Sequence, residues 1–134
     1  MEIRYSDTHT FTAQQLEALF LSVGWSSGAY PEKLVRAMQG FQTVISAWDG
    51  DRLVGMVCAM DDGVMNAYVH YLLVMPDYQD LAIGRTLMER IKTHYADYLR
   101  ICLIAYDDEA HFYEKCGFHK AEASSPMHLT SLWT

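Results

Sequence analysis

The chain has 134 residues, 51% hydrophobic and 20% charged, which is typical of one globular domain, residues 1–134, with a substantial core. Ten basic and 17 acidic residues give a formal net charge of −7, which argues against binding to nucleic acid or to an anionic membrane surface. We therefore expect no nucleic-acid or membrane partner, while a cationic substrate such as an amine suits this charge.

The cysteines favour a reducing compartment. Cys58, Cys102 and Cys116 are widely spaced and form neither a C-x-x-C pair nor a disulfide framework. The start "MEIRYSDTHT" has no secretory signal pattern, and no apolar run reaches the roughly 20 residues that span a bilayer. We expect a cytoplasmic protein.

The N-terminal third predicts a strand followed by two helices. "EIRYS" is typical of a first strand. Apolar residues recur at helical spacing over 11–25, with Thr12 as N-cap and Gly24 as the stop signal. A second helix is predicted over 30–41, because Pro31 suits a first helical turn.

The remaining pattern alternates strands and helices. "TVISAW" and "RLVGMVCAM" predict a hairpin across "DGD", and "NAYVHYLLVM" predicts a third strand before a helix beginning near Ile83. The apolar run "LRICLIAY" predicts a central strand buried on both faces. "DDEAHFYEKCGF" predicts a short helix capped by Asp107 or Asp108 and ended by Gly117, and "SPMHLTSLW" predicts a last strand. The order βααβββαβαβ indicates a mixed α/β (α+β) fold with helices on one sheet.

The stretch "VMPDYQDLAIG" connects a strand to a helix and has the features of an anion site. Pro76 ends the strand, and the first N–H groups of the following helix lack internal partners. Ala82 and Gly84 are small enough to let a ligand approach the backbone. By spacing alone, an ordinary strand–helix turn is the favoured interpretation, because small residues are common in short turns of this kind.

A second motif favours the ligand site. "HFYEKCGF" follows the next predicted strand, and the two stretches together resemble the GCN5-related N-acetyltransferases (GNAT family). The family's Q/R-x-x-G-x-G/A loop matches Gln79, Ala82 and Gly84. Its F-Y-x-x-x-G-F signature matches Phe112, Tyr113, Gly117 and Phe118. The hairpin at 49–57 also resembles the family's second and third strands.

The resemblance implies a mostly antiparallel sheet in which two central parallel strands splay apart, with acetyl-CoA as cosubstrate. Pantetheine would lie in the gap, beside the backbone of Leu72, Leu73 and Val74. The diphosphate would meet Gln79 and the N–H groups of the next six residues, Asp80, Leu81, Ala82, Ile83, Gly84 and Arg85.

Three positions depart from the family pattern. Ala82 replaces the first glycine, and Asp80 and Leu81 stand where many members have glycine and a basic residue. A carboxylate near a diphosphate repels it, and Arg85 offsets this in part. A non-enzymatic GNAT-fold domain with weakened or lost CoA binding, acting in regulation or protein interaction, is therefore the alternative.

Two side chains are candidates for the chemistry. Tyr113 is the candidate acid, because the family's tyrosine points at the CoA sulfur; a packed tyrosine is the alternative. His70 is the candidate base, on the strand leading to the loop. Strict alternation places it on one face with Tyr68, Leu72 and Val74, and a bulge in the strand would shift that. A hydrogen-bonded strand histidine explains it equally well, and His111, beside Phe112, is a weaker candidate for the base.

The remaining predictions concern the acceptor and assembly. No histidine–cysteine spacing fits a common zinc site, so no metal is expected. If the N-terminal helices roof the site, Trp25 and Tyr30 contact the acceptor, a small-molecule or peptide amine. No cysteine occupies an evident nucleophile position, which favours direct attack in a ternary complex. The apolar tail either completes the sheet or meets a second subunit in a homodimer.

Overall fold

A computed structural model describes residues 2–132. Five strands and four α-helices follow one another as β1 (Arg4–Ser6), α1 (Ala13–Ser22), α2 (Pro31–Gly40), β2 (Thr43–Asp49), β3 (Arg52–Asp61), β4 (Asn66–Val74), α3 (Ile83–His94), β5 (Arg100–Leu103) and α4 (Ala110–Lys115). Short 3₁₀ turns lie at Ser26–Ala29, Pro76–Leu81 and Asp107–Glu109. The strands form one sheet in the order β1-β2-β3-β4-β5, and only the β4–β5 pair is parallel. This mostly antiparallel mixed α/β architecture confirms the predicted fold class.

The first two helices begin where the sequence predicts. Thr12 Oγ1 accepts a hydrogen bond from the Gln15 N–H at 3.1 Å, and Gln15 Oε1 accepts one from the Thr12 N–H at 2.9 Å. This capping box satisfies two of the unpaired donors at the start of α1. Gly24, at φ +73°, follows its end, and α2 starts at Pro31. Both helices bury an apolar face in the core, comprising Leu16, Leu19, Phe20, Leu34 and Met38.

The prediction that β5 is a central strand buried on both faces is wrong. β5 has four residues at the edge of the sheet, and Arg100 and Cys102 are exposed. The predicted last strand is also wrong over the described part of the tail. Residues 125–132 belong to no helix or strand, and Trp133 lies outside the described residues. The two errors share a cause, since β5 would be central only if the tail paired with its outer side.

The start of α4 also differs from the prediction. Asp107 and Asp108 lie inside a 3₁₀ turn, and neither caps the helix with its side chain. The helix proper begins at Ala110 and is followed by Gly117 at φ +101°, as the glycine predicted. The 3₁₀ turn contains the residues that were predicted to begin the helix.

Candidate active site

A gap opens between the two parallel strands. β4 and β5 pair only from Asn66–Arg100 to Val69–Leu103, whereas β4 continues to Val74 in register with β3. Beyond Val69, the side of β4 that faces β5 therefore has no partner strand among the described residues. This is the splayed parallel pair that the family resemblance implies.

A β-bulge at His70 changes the direction of the side chains along β4. Tyr71 pairs with Cys58 and Val69 pairs with Ala59, so His70 is the extra residue. Strict alternation fails after such a bulge. The predicted single face of Tyr68, His70, Leu72 and Val74 is therefore broken, because His70 and its neighbour Tyr71 now lie together, with ring centroids 4.3 Å apart.

Two residues of β4 direct their backbone N–H and C=O groups toward the gap. The Met75 N–H donates to the Val54 carbonyl at 2.8 Å. Because antiparallel partners alternate, Leu73 exchanges its backbone bonds with β3, and the N–H and C=O groups of Leu72 and Val74 face the opposite way. The predicted contacts of Leu72, Leu73 and Val74 with the ligand stay a prediction, and of these three residues Leu72 and Val74 direct their backbone groups toward the gap.

The loop after β4 is held at two points. Gln79 Nε2 donates to the Val74 carbonyl at 2.9 Å, which ties the loop back to the strand end. The Tyr78 hydroxyl donates to Asp49 Oδ2 at 2.5 Å, and the Arg52 guanidinium carbon lies 5.6 Å from the Tyr78 ring centre. The hydrogen bond to Asp49 and burial raise the pKa of Tyr78. These contacts fix where α3 starts.

The N-terminus of α3 has the features of an anion cradle. No side chain caps it, and the bond from the Thr86 N–H to the Ala82 carbonyl, 3.0 Å, is the first of the helix. The N–H groups of Ile83, Gly84 and Arg85 therefore have no partner within the helix, and the macrodipole adds positive potential there. Asp80, Leu81 and Arg85 are exposed beside them. The fit to a diphosphate rests on these uncapped donors.

Ala82 adopts the left-handed conformation, with φ +58° and ψ +22°. An L-residue with a Cβ is strained there, so we expect Ala82→Gly to raise the free energy of unfolding by about 0.5–1 kcal/mol. The gain should appear as a higher urea midpoint at unchanged slope. Ala18→Gly in α1 is the control: it should lose about 1 kcal/mol, as glycine does inside a helix. A loss at position 82 would mean that the loop tolerates alanine without strain.

Gly84 brings α4 against α3. A Cβ built on Gly84 would lie 3.4 Å from Phe112 Cζ and 4.0 Å from Val74 Cγ2. The small residue thus permits close packing between the helices as well as access to the backbone. This contact places Phe112 beside the end of β4, and Tyr113 is the next residue of α4.

Tyr113 is half-buried between two aromatic rings. Its ring centre lies 5.1 Å from that of Phe112 and 6.2 Å from that of Phe118, both edge-on. Burial raises the pKa of Tyr113 well above 10, and the nearby Glu109 and Cys116 raise it further. The phenol therefore holds its proton throughout the neutral range.

The pKa of His70 is shifted downward, whereas that of Tyr113 is shifted upward. His70 is an exposed residue, but desolvation of its ring by the neighbouring side chains lowers its pKa below 6.5, so the imidazole is neutral at pH 7 and can accept a proton. Its ring stacks 6.2 Å from Phe41 and lies 5.8 Å from Tyr68. His111, the weaker candidate, is exposed on α4, 4.0 Å from Glu114.

The two predicted acceptor residues lie in different surroundings. Trp25 is 6.1 Å from Tyr71, whose hydroxyl donates to Ser27 Oγ at 3.3 Å, so it joins the aromatic group around His70. Tyr30 is 44% exposed and stacks with Lys33. Sequence reasoning missed Tyr71, because only the bulge turns it toward this group.

Neither a metal site nor a membrane-spanning helix is found within residues 2–132. Within that range, no three His, Cys, Asp or Glu side chains are grouped so that they could hold a metal ion. None of its helices is long and apolar enough to cross a membrane.

Comparisons with known proteins agree with this geometry. A family model described as "Acetyltransferase (GNAT) domain" matches residues 8–128. The uncharacterized N-acetyltransferase ycf52 of Porphyra purpurea is 32% identical over 126 residues, covering 89% of this chain and 71% of that protein. A solved putative acetyltransferase from Deinococcus radiodurans R1 is 30% identical with a TM-score of 0.83, covering 96% of this chain and 88% of that one.

A further solved structure supports the fold. A GNAT-family acetyltransferase from Streptococcus pneumoniae TIGR4 has a TM-score of 0.82 at 23% identity, covering 97% of this chain and 99% of that chain. The family model spans most of the sequence, and the splayed strands and uncapped helix occur where the family motifs lie. The chain therefore belongs to the GNAT family of acetyltransferases.

Proposed function

We propose that this acyltransferase moves the acetyl group of acetyl-CoA to an amine nitrogen by direct attack in a ternary complex. The observation that supports this proposal most directly is that the β4–β5 gap ends at the uncapped N-terminus of α3. A long ligand with an anionic diphosphate and an extended amide arm suits both features at once. The thioester supplies the activated acyl group.

The chain's own groups then have complementary tasks. The N–H of Leu72 or Val74 donates to the acyl oxygen as negative charge develops there. His70 removes a proton from the amine, directly or through a water molecule, and Tyr113 gives a proton to the departing sulfur. An N–C bond forms, the C–S bond breaks, and the products are an amide and a thiol.

The cysteines support direct attack. Cys58 and Cys116 are buried, and burial raises the pKa of both thiols, which disfavours the nucleophilic thiolate. Cys102 is exposed on β5, where it pairs with Tyr68 of β4. Three free thiols also suit a reducing cytoplasm, where we place the protein.

The acceptor is a small-molecule or peptide amine in this proposal. The aromatic group of Trp25, Tyr71 and His70 gives it an apolar wall, and the net charge of −7 favours cations over anions.

Two measurements test the proposal in sequence. Acetyl-CoA should raise the melting temperature, since a ligand of the native state stabilises by mass action. A panel of amines, peptides included, should then yield an acetylated product by mass spectrometry. No thermal shift with saturating acetyl-CoA would favour the alternative, a non-enzymatic domain that has lost CoA binding through Asp80 and Ala82.

His70→Ala should change the pH dependence of turnover. Around pH 7 the neutral imidazole assists an amine that is mostly protonated, so we expect a loss of about 10²-fold in kcat. The loss should shrink at high pH, where amine is already free, and below the lowered pKa of His70, where the wild type also loses its base. Acetyl-CoA affinity should change little.

The matched control is His111→Ala, which removes an exposed imidazole from α4. Its pH–rate profile should coincide with that of the wild type. A profile altered by His111→Ala and unaltered by His70→Ala would transfer the base role to His111.

A further inference from the structure

The loop between β4 and α3 buries a single side chain. Of the seven residues from Pro76 to Ala82, Tyr78 alone is buried. Its hydroxyl donates to Asp49 Oδ2 at 2.5 Å, and Asp49 is the last residue of β2, at the turn into β3. A short hydrogen bond to a carboxylate is among the stronger kinds in proteins. The loop is therefore tied to the β2–β3 hairpin through Tyr78.

The same hairpin also receives the first residue of α3. Ile83 is fully buried, and a Cβ built on Gly55 of β3 would lie 3.3 Å from Ile83 Cγ2 and 3.3 Å from the Leu73 carbonyl oxygen. Glycine at position 55 thus lets the start of α3 approach the sheet closely. The hairpin holds the chain on both sides of the exposed residues 79–82, by Tyr78 before them and by Ile83 after them.

We propose that Asp49 is a positioning residue for acetyl-CoA, because through Tyr78 it holds the loop that places the uncapped N–H groups of α3 for the diphosphate. The inference rests on the function proposed above. Four exposed residues, the left-handed Ala82 among them, separate the two buried side chains. Without the link to Asp49 this loop must be ordered when the ligand binds, and that ordering lowers affinity. Neither Asp49 nor the Tyr78 hydroxyl has to contact the ligand.

The sign of the effect distinguishes positioning from charge. Asp49 carries a negative charge, and acetyl-CoA is itself an anion, so the charge of this carboxylate by itself weakens binding. If Asp49 acted only through its charge, removal of the carboxylate would tighten the binding of acetyl-CoA. Positioning predicts the reverse, a loss of affinity.

Calorimetric titration with acetyl-CoA measures that sign. Asp49→Ala and Tyr78→Phe should each weaken binding by about 10-fold, and the double variant should weaken it no further, since both changes break one link. Asp49→Asn keeps an oxygen that accepts from the Tyr78 hydroxyl and should bind within a few-fold of the wild type. The matched control is Asp51→Ala, which removes the same charge from an exposed position in the same turn. It should bind as tightly as the wild type or more tightly.

A second control separates positioning from stability. Tyr95→Phe removes a similar hydrogen bond, from the Tyr95 hydroxyl to Asp61 Oδ2 at 2.7 Å, at the other end of α3. It should lower the melting temperature without changing the affinity for acetyl-CoA. In turnover with an amine from the acceptor panel, Tyr78→Phe should raise the KM of acetyl-CoA and leave the KM of the amine unchanged.

The outcomes separate this inference from the proposed function. If the wild type binds acetyl-CoA and Asp49→Ala or Tyr78→Phe binds it equally well or more tightly, the positioning role is overturned and the proposed function stands. An equal loss of affinity in Tyr95→Phe would also overturn it, because stability would then account for the effect. If the wild type does not bind acetyl-CoA at all, the proposed function fails and the positioning role fails with it.

Discussion

Replacing Tyr113 by phenylalanine is expected to lower kcat by roughly 10²–10⁴-fold while leaving the fold and acetyl-CoA binding intact. The change removes only the hydroxyl, and the ring keeps its edge-on contacts with Phe112 and Phe118. The loss should appear equally in kcat and kcat/KM, because the proton matters to the departing sulfur only in the transition state. Steady-state kinetics on an amine from the acceptor panel measure both.

The pH dependence of turnover tests the role of Tyr113 independently. The pKa of Tyr113 is raised, so the phenol should lose its proton, and the wild type its activity, only as pH rises beyond 10. Tyr98→Phe is the matched control, because its hydroxyl donates to Asp61 at 3.3 Å at the far end of α3. It should keep wild-type kcat. Normal turnover of Tyr113→Phe would mean that the sulfur leaves as a thiolate or takes its proton from water.

Local signals explain why most elements were predictable. The Thr12 cap, the Pro31 start and the Gly24 stop each act within one helical turn, and the structure reproduces all three. The hairpin between β2 and β3 depends on "DGD", where Gly50 has φ +59°. These features need no information from distant parts of the chain.

The wrong predictions for β5 and for the last strand concern pairing between segments, which local sequence does not determine. The run "LRICLIAY" is equally apolar whether its outer side is covered or free, so sequence alone assigned β5 to the centre. Within residues 2–132 that side has no strand beside it, and residues 119–132 are exposed. Local pattern shows that two segments favour strands but does not fix which pair forms.

The elements that carry the candidate site were predictable, and their detailed geometry was less so. Motif spacing located the loop at Gln79 and the helix bearing Tyr113. It could not show the bulge at His70, which depends on the register of β4 against β3. Nor could it show that Gly84 meets Phe112, since that contact joins residues 28 positions apart in the chain. Departures from ideal periodicity concentrate at functional sites, which limits pattern reasoning there.

Gly84→Val should lower acetyl-CoA affinity by roughly 100-fold or more. Even a Cβ at this position touches Phe112 at 3.4 Å, so the two γ-methyl groups have no room unless α4 moves away from α3. Overpacking of this kind costs about 1–3 kcal/mol, and the methyl groups also cover the uncapped N–H groups of the helix. Isothermal titration calorimetry with acetyl-CoA measures the loss.

Two controls separate binding from stability. Gly84→Ala adds only the Cβ, which makes an ordinary contact, and alanine favours a helix by about 1 kcal/mol over glycine; it should fold well and bind within a few-fold of wild type. Gly40→Val makes the same Gly→Val change at the end of α2, where no atom lies within 4 Å of an added Cβ, and should leave affinity unchanged. If Gly84→Val is folded by circular dichroism and still binds acetyl-CoA as the wild type does, the diphosphate does not sit on the N-terminus of α3. The ligand would then have to enter the β4–β5 gap from another direction, and Tyr113 would lose the placement that makes it the acid.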